Sequence, residues 1–188
     1  MAIYFDATRS IVRFAGEEAH KLLNDTLTCR FDDTIRGTGR WFALLSPQGK
    51  VQVEGLVTQT QEAFWTEVGS HQVDEFVRLM KRYRLRAKVD IEIDKELAVL
   101  WSPEGEMPDE LPLLSYRDER SASMGKRHVV PWTADIPARL PSANNGAYDA
   151  ARIEAGLAEI GANFDPDEVF PHDIGMDLLS GVDFKKGC

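Results

Sequence analysis

Two short stretches carry residue types able to do chemistry. The first is Asp183-Phe184-Lys185-Lys186-Gly187-Cys188. A lysine two residues before a cysteine favours the thiolate where the two side chains converge, and the glycine between them lets the backbone turn tightly. Cys188 is therefore a candidate reactive thiol, with Lys186 as its electrostatic partner. A chain-terminal carboxylate would oppose the thiolate, so the pairing makes sense where more chain follows Cys188. The second stretch is Arg152-Ile153-Glu154-Ala155-Gly156, preceded by Ala151 and followed by Ala158. On a helical wheel these alanines lie near Glu154. Small neighbours let a flat ligand approach, and a carboxylate accepts two hydrogen bonds from an amino-pyrimidine edge. A glutamate on a solvated helix face is the plainer account of the same pattern.

A third stretch, "MKRYRLRAK", gathers Lys81, Arg82, Arg84, Arg86 and Lys88 around a predicted helix end. The helix dipole favours cations there, and such a cluster also suits a polyanion. Histidines 20, 71, 128 and 172 show no short ligand spacing, and Cys29 and Cys188 form no C-x-x-C pair. The spacing points away from a zinc site. Phosphate-loop, dinucleotide-loop and nucleophile-elbow patterns do not occur.

The elements that must position these residues follow from periodicity. Ser10 to Phe14 is a short strand pattern. Gly16 to Cys29 places Ala19, Leu22, Leu23 and Leu27 at helical spacing. "RGTGR" marks a loop. "WFALL" and "VQVEGLVTQT" flank "SPQGK", where Pro47 and Gly49 suit a type I turn, so a hairpin is predicted. "AFWTEV" gives a further strand. Ser70 is a candidate cap for a helix whose Val73, Phe76, Val77 and Met80 form one apolar face. "KVDIEI", "LAVLW" and "HVVPW" are strands, and residues 102–118 an exposed excursion. Ala147 to Ile160 is predicted helical, capped by Asn144 or Asn145, and "NFDPDEVFP" irregular. The order of elements gives an α+β class with ferredoxin-like βαβ units and mainly antiparallel pairing.

The net charge of −9 argues against non-specific nucleic-acid binding. Two cysteines are too few for a disulfide framework and indicate a reducing compartment. The first 30 residues carry no signal or transit pattern, and no apolar run is long enough to span a membrane. Together these predict a cytoplasmic protein without membrane partners.

Taken in order, several stretches resemble the YgfZ-type folate-binding family, relatives of the glycine-cleavage T-protein that serve iron–sulfur enzymes. They are "RSIVRFAGEEAHKLLNDTLTCRF", "LLSPQGKVQVEGLV", "RLMKRYRLRAKVDIEI", "ARIEAGLAEIG" and "VFPHDIGMDLLSGVDFKKGC". Lys186, Gly187 and Cys188 match the first three positions of that family's Lys-Gly-Cys-Tyr-x-Gly-Gln-Glu signature. The resemblance implies the aminomethyltransferase folate-binding fold over residues 1–188, as two interlocked α+β subdomains. In the family a smaller C-terminal β-barrel domain follows, and this chain stops before it. The resemblance also implies a tetrahydrofolate site in a central channel, with Glu154 facing the pterin and Arg152 in a structural role.

The implied function is support of iron–sulfur cluster assembly or repair in client enzymes, with influence on tRNA modification through them. Folate and the client or assembly proteins are the implied partners. The alternative is a folate-dependent aminomethyl transferase of the T-protein type. T-proteins carry an essential aspartate on the hairpin where this chain has Val53, which accepts no proton. Glu54, one residue on, is expected on the opposite side of the strand.

Overall fold

Period-two alternation dominates the chain, and the computed structural model turns it into nine strands. It describes residues 2–32, 35–104, 112–140, 142 and 146–186. The strands are β1 (Tyr4–Asp6), β2 (Arg9–Ala15), β3 (Thr38–Leu45), β4 (Val51–Gln59), β5 (Ala63–Gly69), β6 (Asp90–Asp94), β7 (Leu97–Ser102), β8 (Leu114–Asp118) and β9 (Lys126–Pro131). The helices are α1 (Ala19–Thr26), α2 (Val73–Arg84), α3 (Ile136–Arg139) and α4 (Ala147–Glu154). The strand order is β1-β7-β9-β8-β3-β4-β5-β2-β6. Among the described residues, these strands pair antiparallel except β3 with β8, at Thr38↔Arg117 and Gly39↔Asp118. The class is α+β, as the sequence predicts.

The short parallel joint matters because the strands on either side of it fold face to face. Gly39 makes the joint possible: a Cβ there would lie 2.5 Å from the Tyr116 ring. One face of β2–β5 packs against α1 and α2 through Val12, Phe14, Phe42, Val53, Phe76 and Met80. The opposite face meets β7, β8 and β9 through Ile11, Trp41, Leu56, Val99, Tyr116 and Val129. Burying a side chain of this size stabilises by about 1.5–3 kcal/mol, so these two layers hold the fold. Among the described residues, no helix is long and apolar enough to cross a membrane.

Four local expectations are corrected. Ser70 does not cap α2. The helix begins after Gln72, without a side-chain cap, and the Ser70 hydroxyl bonds to that of Ser10. The predicted Ala147–Ile160 helix ends at Glu154, because Gly156 takes φ 72° and breaks the helical path. The 102–118 stretch is not all excursion: β8 sits in the sheet with Tyr116 and Asp118 buried, since both point to the inner face. Gly39 of "RGTGR" lies inside β3, not in a loop. The expected caps Asn144 and Asn145 lie outside the described residues.

Candidate functional site

Alternation also carries charge inward. Arg9 shares the inner face of β2 with Ile11, Glu54 that of β4 with Leu56, and Arg127 that of β9 with Val129. The seam between the two sheet faces thus holds three guanidinium groups and five carboxylates, from Arg9, Arg120, Arg127, Asp6, Glu54, Glu67, Asp118 and Glu159. Arg9 Nε donates to Glu67 Oε1 at 2.9 Å. Arg127 Nη1 donates to Asp6 Oδ2 at 3.1 Å. Arg120 grips Asp118 with Nε at 3.0 Å and Nη2 at 2.8 Å, and reaches Glu159 with Nη1 at 3.0 Å. The Tyr148 hydroxyl accepts from Arg120 Nη2 at 2.9 Å and from Arg127 Nη2 at 2.6 Å, and donates to Glu159. Tyr116 donates to Glu67.

Two buried carboxyls that feel the Arg9 charge are driven in opposite directions. Burial pushes Glu159 up, but Arg9 and Arg120 outweigh it and hold the group at about 2. Burial pushes Glu54 up and wins over the Arg9 charge, which stands off at 3.8 Å. Glu54 Oε2 accepts from Trp41 Nε1 at 2.8 Å, while its buried Oε1 has no hydrogen-bond partner among the described residues. A cavity of about 260 Å³ opens onto this seam, with Thr8, Arg9, His71, Tyr148, Asp149 and Glu159 in its wall.

Sequence reasoning left this network out. The signal for it was a charge at an inward position of an otherwise apolar strand face, as in "VQVEGLV". Strand alternation predicts Glu54 on the side opposite Val53, and the structure agrees: Val53 is sealed in the helix-facing core while Glu54 lies in the seam.

Glu154 is the last residue of α4 and is exposed. It has no hydrogen-bond or ion-pair partner among the described residues, and it is not in the wall of the 260 Å³ cavity. The alanines around it do not form an open approach. Ala151 and Ala155 pack on Trp101, Met124, Tyr148 and Leu157, where small side chains let α4 lie close. Arg152 is structural: Nε bonds Asp149 at 2.7 Å, and Nη1 bonds Asn163 Oδ1 at 2.7 Å and the Leu157 carbonyl at 3.2 Å. Lys186 Nζ donates to the carbonyls of Leu27 and Cys29, each at 2.7 Å, and stands 5.1 Å from the Phe31 ring centroid. Cys188 lies outside the described residues, as does Gly187. Cys29 is fully buried beyond the end of α1, and burial raises its thiol to about 12. Glu154, Lys186 and the seam therefore occupy different places in the fold.

No family model matches the chain. Its sequence is similar to curated proteins named "Iron-sulfur cluster assembly factor IBA57 homolog, mitochondrial". The one from Pyricularia oryzae is 28% identical over 193 residues, covering 96% of this chain and 49% of the relative. The one from Chaetomium globosum is 24% identical over 215 residues, covering 97% and 49%. The one from Mycosarcoma maydis is 26% identical over 203 residues, covering 96% and 49%. The chain thus spans about half the length of the curated relatives it matches. Among solved structures, the glycine cleavage system aminomethyltransferase T from Bartonella henselae superposes with a TM-score of 0.69 at 15% identity, covering 90% of this chain and 55% of that one. The chain has the aminomethyltransferase fold, and nearly all of its sequence is similar to half of the iron–sulfur cluster assembly factors named above.

Proposed function

We propose that this chain binds a reduced folate and supports iron–sulfur cluster assembly or repair, with Glu154 as the folate anchor. The observation that carries the folate part is the setting of Glu154. A carboxylate at the negative end of a helix dipole is unfavourable by about 0.3–1 kcal/mol, and this one has no compensating partner among the described residues. It is free to accept both hydrogen bonds of an amino-pyrimidine edge, so the residue fits the ligand that the fold implies. The iron–sulfur part rests on the likeness to the assembly factors. Cys188 would supply the reactive thiol and Lys186 its charge partner, acting on client enzymes that include those modifying tRNA. The compartment inferred from cysteine usage is the cytoplasm. The relatives' names carry the word mitochondrial, and fractionation of cells expressing the gene decides between the two.

The transferase alternative is disfavoured by one observation. Val53 stands where the T-protein aspartate is expected and is closed inside the apolar core. Calorimetry with 5-formyltetrahydrofolate tests the folate reading. The wild type binds, and Glu154→Gln weakens binding about tenfold, the loss expected for one charge-assisted hydrogen bond. Unchanged affinity in a folded Glu154→Gln variant removes Glu154 from the site. In cells, Cys188→Ala lowers iron–sulfur enzyme activity at unchanged abundance of the protein, and full activity removes Cys188.

A further inference from the structure

We infer that the turn between α2 and β6 is a docking surface for an acidic segment of a partner protein that carries an apolar anchor residue. Lys81, Arg82, Arg84, Arg86 and Lys88 fall within eight consecutive residues of a chain whose net charge is −9. Arg84 Nη1 is held by the Val89 carbonyl at 3.0 Å, and Lys88 Nζ by Glu17 at 3.2 Å. Lys81, Arg82 and Arg86 are exposed and have no hydrogen-bond or ion-pair partner among the described residues.

Leu85 stands among them, 84% exposed, with φ 49° and ψ −107°. A leucine seldom adopts positive φ, and such strain persists where the surroundings impose it. The turn is bonded: Ala87 N donates to the Arg84 carbonyl at 2.8 Å, and Val89 N to the Ala87 carbonyl at 2.9 Å. The helix dipole accounts for the cations. It does not account for a strained aliphatic side chain held out in water, where glycine would remove both the strain and the exposed apolar surface.

Leu85 is itself part of the wall of an open trough of about 510 Å³, together with Glu17, Arg84, Arg86, Lys88 and Asp90. The concavity suits an inserted side chain. A bilayer presents a flat surface and would also meet the negative charge of the rest of the protein, and a nucleic acid offers no apolar side chain to set against Leu85. Exposed Arg86 beside Leu85, with Lys81 and Arg82 on the last turn of α2, matches an acidic segment with one large apolar residue. The inference does not depend on the folate reading.

The test uses a fluorescein-labelled twelve-residue peptide of glutamate and aspartate with one central phenylalanine, followed by anisotropy at low salt. The wild-type chain binds it. Leu85→Gly weakens binding about tenfold, the scale of one buried apolar side chain, while the melting temperature holds or rises. Arg82→Gln with Arg86→Gln weakens binding and flattens its salt dependence. Replacing the peptide's phenylalanine with serine weakens binding about as much as Leu85→Gly does, by the same burial argument. Any one of several results overturns the inference: a wild type that ignores the peptide, Leu85→Gly binding as well as wild type, Leu85→Gly melting lower, or preference for phosphatidylserine vesicles or single-stranded RNA.

Discussion

Arg9 Nε and Glu67 Oε1 meet at 2.9 Å with side chains 4% and 0% exposed, inside the seam where the sheet faces close on each other. Removing one member of a buried pair leaves the other charged and desolvated, which costs about 3–5 kcal/mol. Arg9→Met and Glu67→Leu should each lower stability by that order in urea unfolding. The double variant should recover about 1–3 kcal/mol of the summed loss, because neither partner is left orphaned by the other. Single variants within about 1 kcal/mol of wild type would mean that the pair is hydrated in solution.

Acid should unfold the protein in two stages. His128 lies between Ser102 Oγ at 2.9 Å and Ser115 Oγ at 2.8 Å, and burial, with a smaller push from Lys126, lowers it to about 4. Its folded value is below the unfolded 6.5, so its contribution is complete above pH 6.5 and is lost as pH falls towards 4. Glu159, held at about 2, contributes fully above its unfolded value of 4.5 and loses that contribution as pH falls towards 2. At 1.36 kcal/mol per pK unit each is worth about 3 kcal/mol. Glu54 has the opposite sign: its raised folded value makes its contribution complete below 4.5 and progressively lost as pH rises. Glu159→Gln should therefore cost about 2–3 kcal/mol at neutral pH, and Glu54→Gln less than about 1 kcal/mol. His128→Gln should remove the upper stage. Urea midpoints across the pH range check all three, and equal costs for Glu159→Gln and Glu54→Gln would refute the assignment.

The strands were legible because period two is a local property: "WFALL", "VQVEGLV", "AFWTEV" and "LAVLW" each became a strand. The "SPQGK" turn was legible too, with Gly49 N bonded to the Ser46 carbonyl at 2.9 Å. What local pattern cannot show is which strand faces which. The parallel β3–β8 joint pairs Gly39 with Asp118, and the closing of the two sheet faces across it brings Tyr116 of β8 and Arg127 of β9 to Glu67 of β5. The seam was therefore hidden in the chain order. The α4 helix was overextended because Leu157, Ala158 and Ile160 continue an apolar pattern, while a single glycine at positive φ ends it.

Lys186 bridges the carbonyls of Leu27 and Cys29, so its ammonium fastens residues near 186 to the core. Lys186→Met should cost about 1.5–3 kcal/mol, the range for hydrogen bonds made by a charged group. It should also speed alkylation of Cys29, which in the wild type is fully buried and kept as a thiol by burial. Mass spectrometry after iodoacetamide treatment reports the two cysteines separately. Slower alkylation of Cys188 in the same variant is the expected sign that Lys186 also serves the thiol. Unchanged rates at both cysteines would leave it neither role.

Val53→Asp places a carboxylate where the resemblance to T-proteins expects an aspartate, but that position faces the layer under α1 and α2, beside Leu44 on the paired strand. A carboxyl group there would be fully buried within the apolar cluster. The substitution should destabilise the chain by about 3 kcal/mol or more, and the variant should show no aminomethyl transfer to tetrahydrofolate. Val53→Thr, nearly the same size, should cost about 1–2 kcal/mol and serves as the control for polarity without charge. A Val53→Asp variant that melts like wild type would mean that position 53 is open to solvent. If that variant also turned over an aminomethyl-lipoyl carrier, the rest of a transferase site would be intact in this chain, and Val53 alone would separate the wild type from that activity.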